Sequence, residues 1–145
     1  MRILLAIDDS KYSQAAADLV VRQMRPQGAE VCVFHAVAPL VIIPYGYMGQ
    51  VETFEAAQQE RLKEGKELAE RTAQQLRSAG FRAHAVTEEG EPKTVILDKN
   101  AQWEPDIVFM SSHGRKGIDR FLIGSTSQDV LRHAHCSVEI ARTQT

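Results

Sequence analysis

The stretch Val108-Phe-Met-Ser-Ser-His-Gly-Arg-Lys-Gly-Ile-Asp-Arg-Phe-Leu-Ile-Gly-Ser-Thr-Ser127 decides how the chain is read. An apolar run stops abruptly at Ser111 and Ser112. Gly114 and Gly117 follow, and Gly124 leads straight into Ser125, Thr126 and Ser127. The pattern predicts a strand, a glycine-bearing loop and the start of a helix. Amides at such a helix start are open to an anion, most often a phosphate. Glycine permits positive φ and lets a ligand approach the backbone closely. The hydroxyls of Ser125 and Ser127 offer further donors.

The segments on either side of this stretch alternate strand and helix. Ile3–Ile7 is a continuous apolar run, expected of a strand covered on both faces, and it ends at Asp8-Asp9-Ser10. Ser13 reads as the cap of a helix whose apolar face carries Ala16, Leu19, Val20 and Met24, and Pro26 and Gly28 stop it. Glu30–Val37 is a second apolar strand, so the two strands and their helix form a right-handed βαβ unit in a parallel sheet. Ala38–Gln50 interrupts the alternation with a greasy loop holding Pro39, Pro44, Gly46 and Gly49. It either folds back over the sheet, packs on a partner subunit or covers a ligand. Glu52–Ser78 is one long helix closed by Gly80. Phe81–Val86 is a third strand, Gly90 and Pro92 mark a turn, and Val95–Trp103 is the next helix. Asp106–Met110 is the fourth strand, a helix runs from about Ser125 to His133, and Ser137–Ala141 closes the chain as a fifth strand. The class is therefore α/β with an open sheet.

Composition sets outer limits. A chain of 145 residues is expected to form a single domain, 1–145, with a core of its own. It is 43% hydrophobic and 25% charged with a formal net charge of −2, so no basic field invites nucleic acid or anionic lipid. No run approaches the roughly 20 apolar residues that span a bilayer, and none near the start has the length of a signal-peptide core. Cys32 and Cys136 form no CxxC pair and are expected as reduced thiols in apolar strands, which favours the cytoplasm.

Two strand ends carry the chemistry. In open α/β sheets, ligands bind beyond the carboxyl ends of the strands where the winding reverses. If the first and fourth strands are neighbours, Asp8 on one lip and the Gly114/Gly124 loop on the other form one cleft suited to a nucleotide. Asp8 then accepts a hydrogen bond from a base amino group or a ribose hydroxyl; the plainer reading makes it a turn or cap residue. His113 either touches a phosphate or bonds to local backbone. His133-x-His135-Cys136 has the composition of a metal cluster but sits at a helix end, where it reads as a charge-and-cap arrangement, and no metal site is assigned. The chain lacks Gly-x4-Gly-Lys-Ser/Thr, Gly-x-Gly-x2-Gly and Gly-x-Ser-x-Gly, which argues against P-loop enzymes, dinucleotide oxidoreductases and α/β-hydrolases. No catalytic set is legible.

These residues together resemble the nucleotide-binding type of universal stress protein. The family pattern Gly-x2-Gly-x9-Gly-Ser/Thr is met by Ser111-x2-Gly114-x9-Gly124-Ser125. Ile3–Ser10 resembles its first strand with an Asp-x-Ser ending. His35 near the end of the second strand, Gly90-x-Pro92 and Val130–Ala134 match as well. The resemblance covers nearly the whole chain. It implies a three-layer, Rossmann-like fold of the adenine nucleotide alpha hydrolase type, with five parallel strands in the order 3-2-1-4-5. It also implies ATP or a related adenine nucleotide, with Mg²⁺ accompanying the triphosphate. Ala6, Asp8 and Ala36 would meet the base and ribose; Ser111, His113, Gly114, Gly124, Ser125, Thr126 and Ser127 would line the phosphate end. A homodimer through the last strand is implied too. Two positions depart from the family: Ser111 replaces its first glycine, and Ser137-Val138-Glu139-Ile140 replaces its usual Pro-Val-Leu-Val.

The expected function is a cytosolic stress-response protein that uses the nucleotide as a regulatory switch toward an unknown protein partner, with slow hydrolysis at most. Two alternatives remain open: a true ATPase or adenylate hydrolase assisted by His113 or Asp8, and a nucleotide-free dimeric stress protein.

Overall fold

The computed structural model describes residues 1–41, 50–113 and 123–142. Its elements run β1 (Arg2–Ile7), α1 (Ser13–Gln23), β2 (Glu30–Val37), α2 (Gln50–Ser78), β3 (Arg82–Glu89), α3 (Pro92–Trp103), β4 (Ile107–Ser111), α4 (Ser125–His133) and β5 (Ser137–Ala141). The five strands are parallel in the order β3-β2-β1-β4-β5, the expected α/β arrangement. β1 lies between β2 and β4, with Ala6 opposite Phe34 on one side and Met110 on the other. The winding reverses between β1 and β4, so a crevice opens beyond their carboxyl ends.

Alternation along the strands builds two cores. Ile3, Leu5, Ile7, Val31 and Val33 pack under Ala16, Ala17 and Val20 of α1 and Ala69, Ala73 and Leu76 of α2. Leu4, Ala6, Cys32, Phe34, Val108 and Met110 face Ile96 of α3 and Val130 of α4. Small alanines at the α1 and α2 contacts let both helices lie close to the sheet. α2 ends in a Schellman turn: Gly80 has φ +95, Gly80 N–H donates to Arg77 O at 2.9 Å, and Phe81 N–H to Leu76 O at 3.1 Å. The buried Phe81 side chain then meets the same core as Leu76, so Phe81 belongs to the helix stop and not, as expected, to β3.

Other boundaries differ from the sequence reading: β1 starts at Arg2 and not Ile3, α2 at Gln50 and not Glu52, and β4 runs from Ile107 to Ser111 and not from Asp106 to Met110. β3 continues to Glu89 because Thr87, Glu88 and Glu89 pair with His35, Ala36 and Val37; an edge strand tolerates such polar residues. α3 starts at Pro92, not Val95, since proline's fixed φ suits the first helical position. Ser13 is the first residue of α1 and not its cap. Tyr12 takes the cap position without a side-chain capping bond. Cys136 precedes β5, and its sulfur accepts a hydrogen bond from Asn100 Nδ2 at 3.2 Å. Of the Ala38–Gln50 loop, residues 42–49 lie outside the described residues.

Candidate nucleotide site

The turn after β1 is organised by its carboxylate. Asp8 Oδ1 accepts from Ser10 N–H (3.0 Å), Ser10 Oγ (2.5 Å) and Ser13 Oγ (2.7 Å). Ser13 Oγ in turn accepts from Asp8 N–H at 2.7 Å, and Ser10 Oγ accepts from Tyr12 N–H at 3.3 Å. This Asx-type network ties the strand end to the first turn of α1. The turn-forming and ligand-facing readings of Asp8 are compatible. Oδ1 is used locally, while among the described residues no hydrogen bond reaches Oδ2, and Asp8 lines the cavity described below.

Across the crevice the loop after β4 is fixed by its ends. Ser112 N–H donates to Ala141 O at 2.9 Å, and Gly124 N–H returns to Ser112 O at 2.7 Å. Ser127 Oγ donates to Ser111 O at 2.8 Å, so this hydroxyl anchors α4 to β4; it is not the spare donor expected of it. Ser111 itself lies in β4 without positive φ, and its Oγ donates to His113 O at 2.9 Å. A side chain therefore costs the backbone nothing at that position. His113 Nδ1 sits 2.8 Å from Ser112 Oγ, and its ring lies 5.4 Å from that of Tyr12, linking the loops after β4 and β1.

The first intrahelical bond of α4 runs from Gln128 N–H to Gly124 O. The amides of Ser125, Thr126 and Ser127 consequently have no intrahelical partner, and no side chain among the described residues caps them. Open amides and the positive end of the helix dipole together suit an anion.

One cavity of about 920 Å³ joins these parts. Of the expected residues it is lined by Ala6, Asp8, Ala36, Ser111, His113, Gly124, Ser125, Thr126 and Ser127; Gly114 lies outside the described residues. It is also lined by residues the sequence reading passed over: Lys11 and Gln14 near the start of α1, Pro92 and Ile96 of α3, and Arg61, Gly65, Leu68 and Thr72 of α2. The last four recur at helical spacing, a legible stripe hidden among charges that read as a solvated face. No group of three or more His, Cys, Asp or Glu side chains among the described residues is placed to hold a metal ion. At the helix end, His133 Nδ1 donates to Asp129 O at 2.8 Å.

The model of the universal stress protein family matches residues 1–142. The chain belongs to this family. A universal stress protein of Thermus aquaticus is 30% identical over 141 residues, covering 97% of each chain. Among solved structures, universal stress protein UspA of Lactobacillus plantarum superposes with a TM-score of 0.81 at 22% identity, over 98% of this chain and 97% of that one. A family protein of Arabidopsis thaliana with AMP bound gives 0.71 at 18% identity over 100% and 93%. A universal stress protein in complex with cAMP gives 0.66 at 18% identity over 99% and 98%. At these identities the superpositions show a shared fold. They place this universal stress protein on a scaffold that carries adenine nucleotides in two of its neighbours. No helix among the described residues is long and apolar enough to cross a membrane.

Proposed function

We propose that this universal stress protein binds an adenine nucleotide, ATP in particular, in the crevice beyond β1 and β4, and works as a ligand-controlled switch toward a partner protein. The observation that carries the reading is the set of uncapped α4 amides at Ser125–Ser127, which line the same cavity as the Asp8 carboxylate. Phosphate oxygens accept from those amides. Asp8 Oδ2 accepts from the ribose or base, with Ala6 and Ala36 beneath the nucleoside. The AMP-bound and cAMP-bound neighbours support the adenine end of this assignment.

Mg²⁺ fits as a companion of the phosphates. It retains several waters and usually takes only one or two carboxylates from the protein, and Asp8 and Asp9 both line the cavity. When bound, it neutralises triphosphate charge. The chain's own residues orient the ligand: α4 the phosphates, the Asp8 turn the nucleoside. No nucleophile–base pair is assigned, so hydrolysis is slow at most. A cytoplasmic homodimer completes the reading.

Calorimetry with ATP and Mg²⁺ tests it. The wild type should show saturable binding, and Gly124→Val should weaken it by at least about tenfold, since a β-branched side chain beside the amides obstructs the approach of phosphate. A wild type that binds neither ATP nor AMP ends the proposal. Sustained turnover lost in His113→Ala would replace the switch with an ATPase.

A further inference from the structure

His113 is restrained from three directions at the wall of the cavity. Its carbonyl accepts from Ser111 Oγ at 2.9 Å, and its Nδ1 lies 2.8 Å from Ser112 Oγ. Its ring meets that of Tyr12, with centroids 5.4 Å apart and planes inclined by 43°. The neighbouring chain fixes where this happens. Ser112 O accepts from Gly124 N–H at 2.7 Å, and Ser111 O accepts from Ser127 Oγ at 2.8 Å. The residue after Ser112 therefore starts beside the first turn of α4, where the open amides are, and it lines the same cavity.

The fold by itself demands none of these restraints. Tyr12 stands at the cap position of α1, where a small polar side chain would satisfy a helix amide. It makes no side-chain capping bond, and its ring goes to His113 instead. Ser111 stands where the family pattern has glycine, and its hydroxyl adds a bond to the His113 carbonyl that glycine cannot make. Ser112 is 3% exposed, and among the described residues its Oγ has no hydrogen-bond partner besides His113 Nδ1. Holding one side chain in so many ways costs entropy. It is the arrangement expected of a group that must be in place before its ligand arrives.

We propose that His113 donates a hydrogen bond from Nε2 to the phosphate chain of the nucleotide, with Tyr12 and Ser112 as its positioning residues; this deepens the nucleotide reading above and rests on it. Ser112 Oγ donates to Nδ1, which leaves the ring proton on Nε2 and fixes the tautomer. Tyr12 fixes the plane of the ring. It is not among the residues that line the cavity, so it acts through His113 and not on the ligand. A phosphate oxygen is a charged acceptor, and it takes the Nε2 proton in preference to a neutral group. Lys11 lines the cavity with its Nζ 5.2 Å from the Tyr12 ring centroid, so the same lip also carries a cation. The phosphate chain then meets a side-chain donor and an ammonium in addition to the α4 amides.

The test combines ATP calorimetry with ¹⁵N spectra of the imidazole, on the wild type and four variants. In the wild type His113 should be the Nε2–H tautomer, and its Nε2 resonance should move when ATP saturates the protein. His113→Ala should weaken ATP binding at least about tenfold, the loss expected of a bond to a charged group. His113→Gln, whose amide reaches the place of Nε2 with a donor, should return to within about threefold of the wild type. Tyr12→Ala should cost about fivefold and release the ring from Ser112, seen as a mixture of tautomers. Tyr12→Phe should cost less than about twofold, because the ring and not the hydroxyl makes the contact. An Nε2 resonance that ATP leaves in place, or a His113→Ala variant that binds ATP as the wild type does, overturns the assignment of His113 while the nucleotide reading stands. Equal losses in Tyr12→Phe and Tyr12→Ala overturn the positioning role of the Tyr12 ring. A wild type that binds neither ATP nor AMP overturns the nucleotide reading and this one with it.

Discussion

The two ends of the parallel sheet meet solvent in opposite ways. At the amino-terminal edge the chain closes on itself. The Met1 ammonium donates to Gly28 O at 2.9 Å, Glu30 N–H to Met1 O at 2.9 Å and Asp106 N–H to Arg2 O at 2.9 Å. Arg2 N–H donates to Asp106 Oδ2 at 2.6 Å and Arg2 Nη1 to Trp103 O at 2.7 Å, with the guanidinium 6.0 Å from the indole centroid. At the carboxyl edge, turn groups also satisfy one another, but three helix amides and one carboxylate oxygen have no partner among the described residues around a cavity. Parallel strands give both edges the same number of ends to terminate. The difference lies in the loops, so one edge serves stability and the other is left open to a ligand.

Asp8 should break this division most sharply, because it belongs to both purposes. Asp8→Ala deletes an acceptor of three hydrogen bonds and should cost about 2–3 kcal/mol in urea unfolding, with nucleotide binding lost as well. Asp8→Asn keeps an acceptor and should recover most of the stability but not the binding. A loss of binding without loss of stability in the alanine variant would mean that the turn holds without its carboxylate.

The second effect belongs to neither edge. Cys32 lies in β2 with no exposure, and burial pushes its thiol from 9.0 up to about 11, with Lys99 pulling the other way. Below pH 9 the folded and unfolded chains both hold the proton, and stability is complete. Between 9.0 and about 11 only the unfolded chain releases it, so stability falls, by roughly 2 kcal/mol at the upper end. Urea midpoints against pH should show that decline in the wild type and a shallower one in Cys32→Val.

Asp106→Ala is the amino-edge counterpart of the first experiment. It removes one charge-assisted bond to an exposed backbone amide and should cost about 1 kcal/mol while leaving nucleotide affinity within about twofold. A change in affinity would mean that the two edges are coupled through β1.

How far the sequence went follows the same division. β2, α4 and β5 were legible to the residue because each is bounded by sharp changes of composition: Gly28 before Glu30, Gly124 before Ser125, His133-Ala134-His135 before Ser137. The end of β3 was not, since Thr87–Glu89 are polar and pair only because β2 lies alongside. Asp8 and the α4 start stood out because the residues themselves announce a turn and a helix cap. The hydroxyl roles did not. Ser13 reads as a cap and Ser127 as a spare donor in sequence, and only the fold brings Asp8 and the Ser111 carbonyl to them. The α2 wall of the cavity was missed for a related reason: Arg61, Gly65, Leu68 and Thr72 have no common chemistry, only a common spacing.

The prediction closest to a balance of opposing terms tests that wall. Gly65→Ala in α2 sets two terms of similar size against each other. Replacing glycine by alanine inside a helix gains about 1 kcal/mol. The new Cβ, however, would stand 2.9 Å from Val37 Cγ2 and 3.3 Å from His35 Cδ2, and the helix must move off β2 to admit it. Overpacking of this kind costs about 1–3 kcal/mol, so the net change in urea unfolding should be a loss between about 0 and 2 kcal/mol. The direction of the movement matters more than the energy. Because Gly65 lines the cavity from α2, displacement of that helix should alter this wall and leave the α4 amides where they are. Gly65→Ala should then leave ATP affinity within about twofold, and a larger change would mean that the two sides of the cavity move as one body.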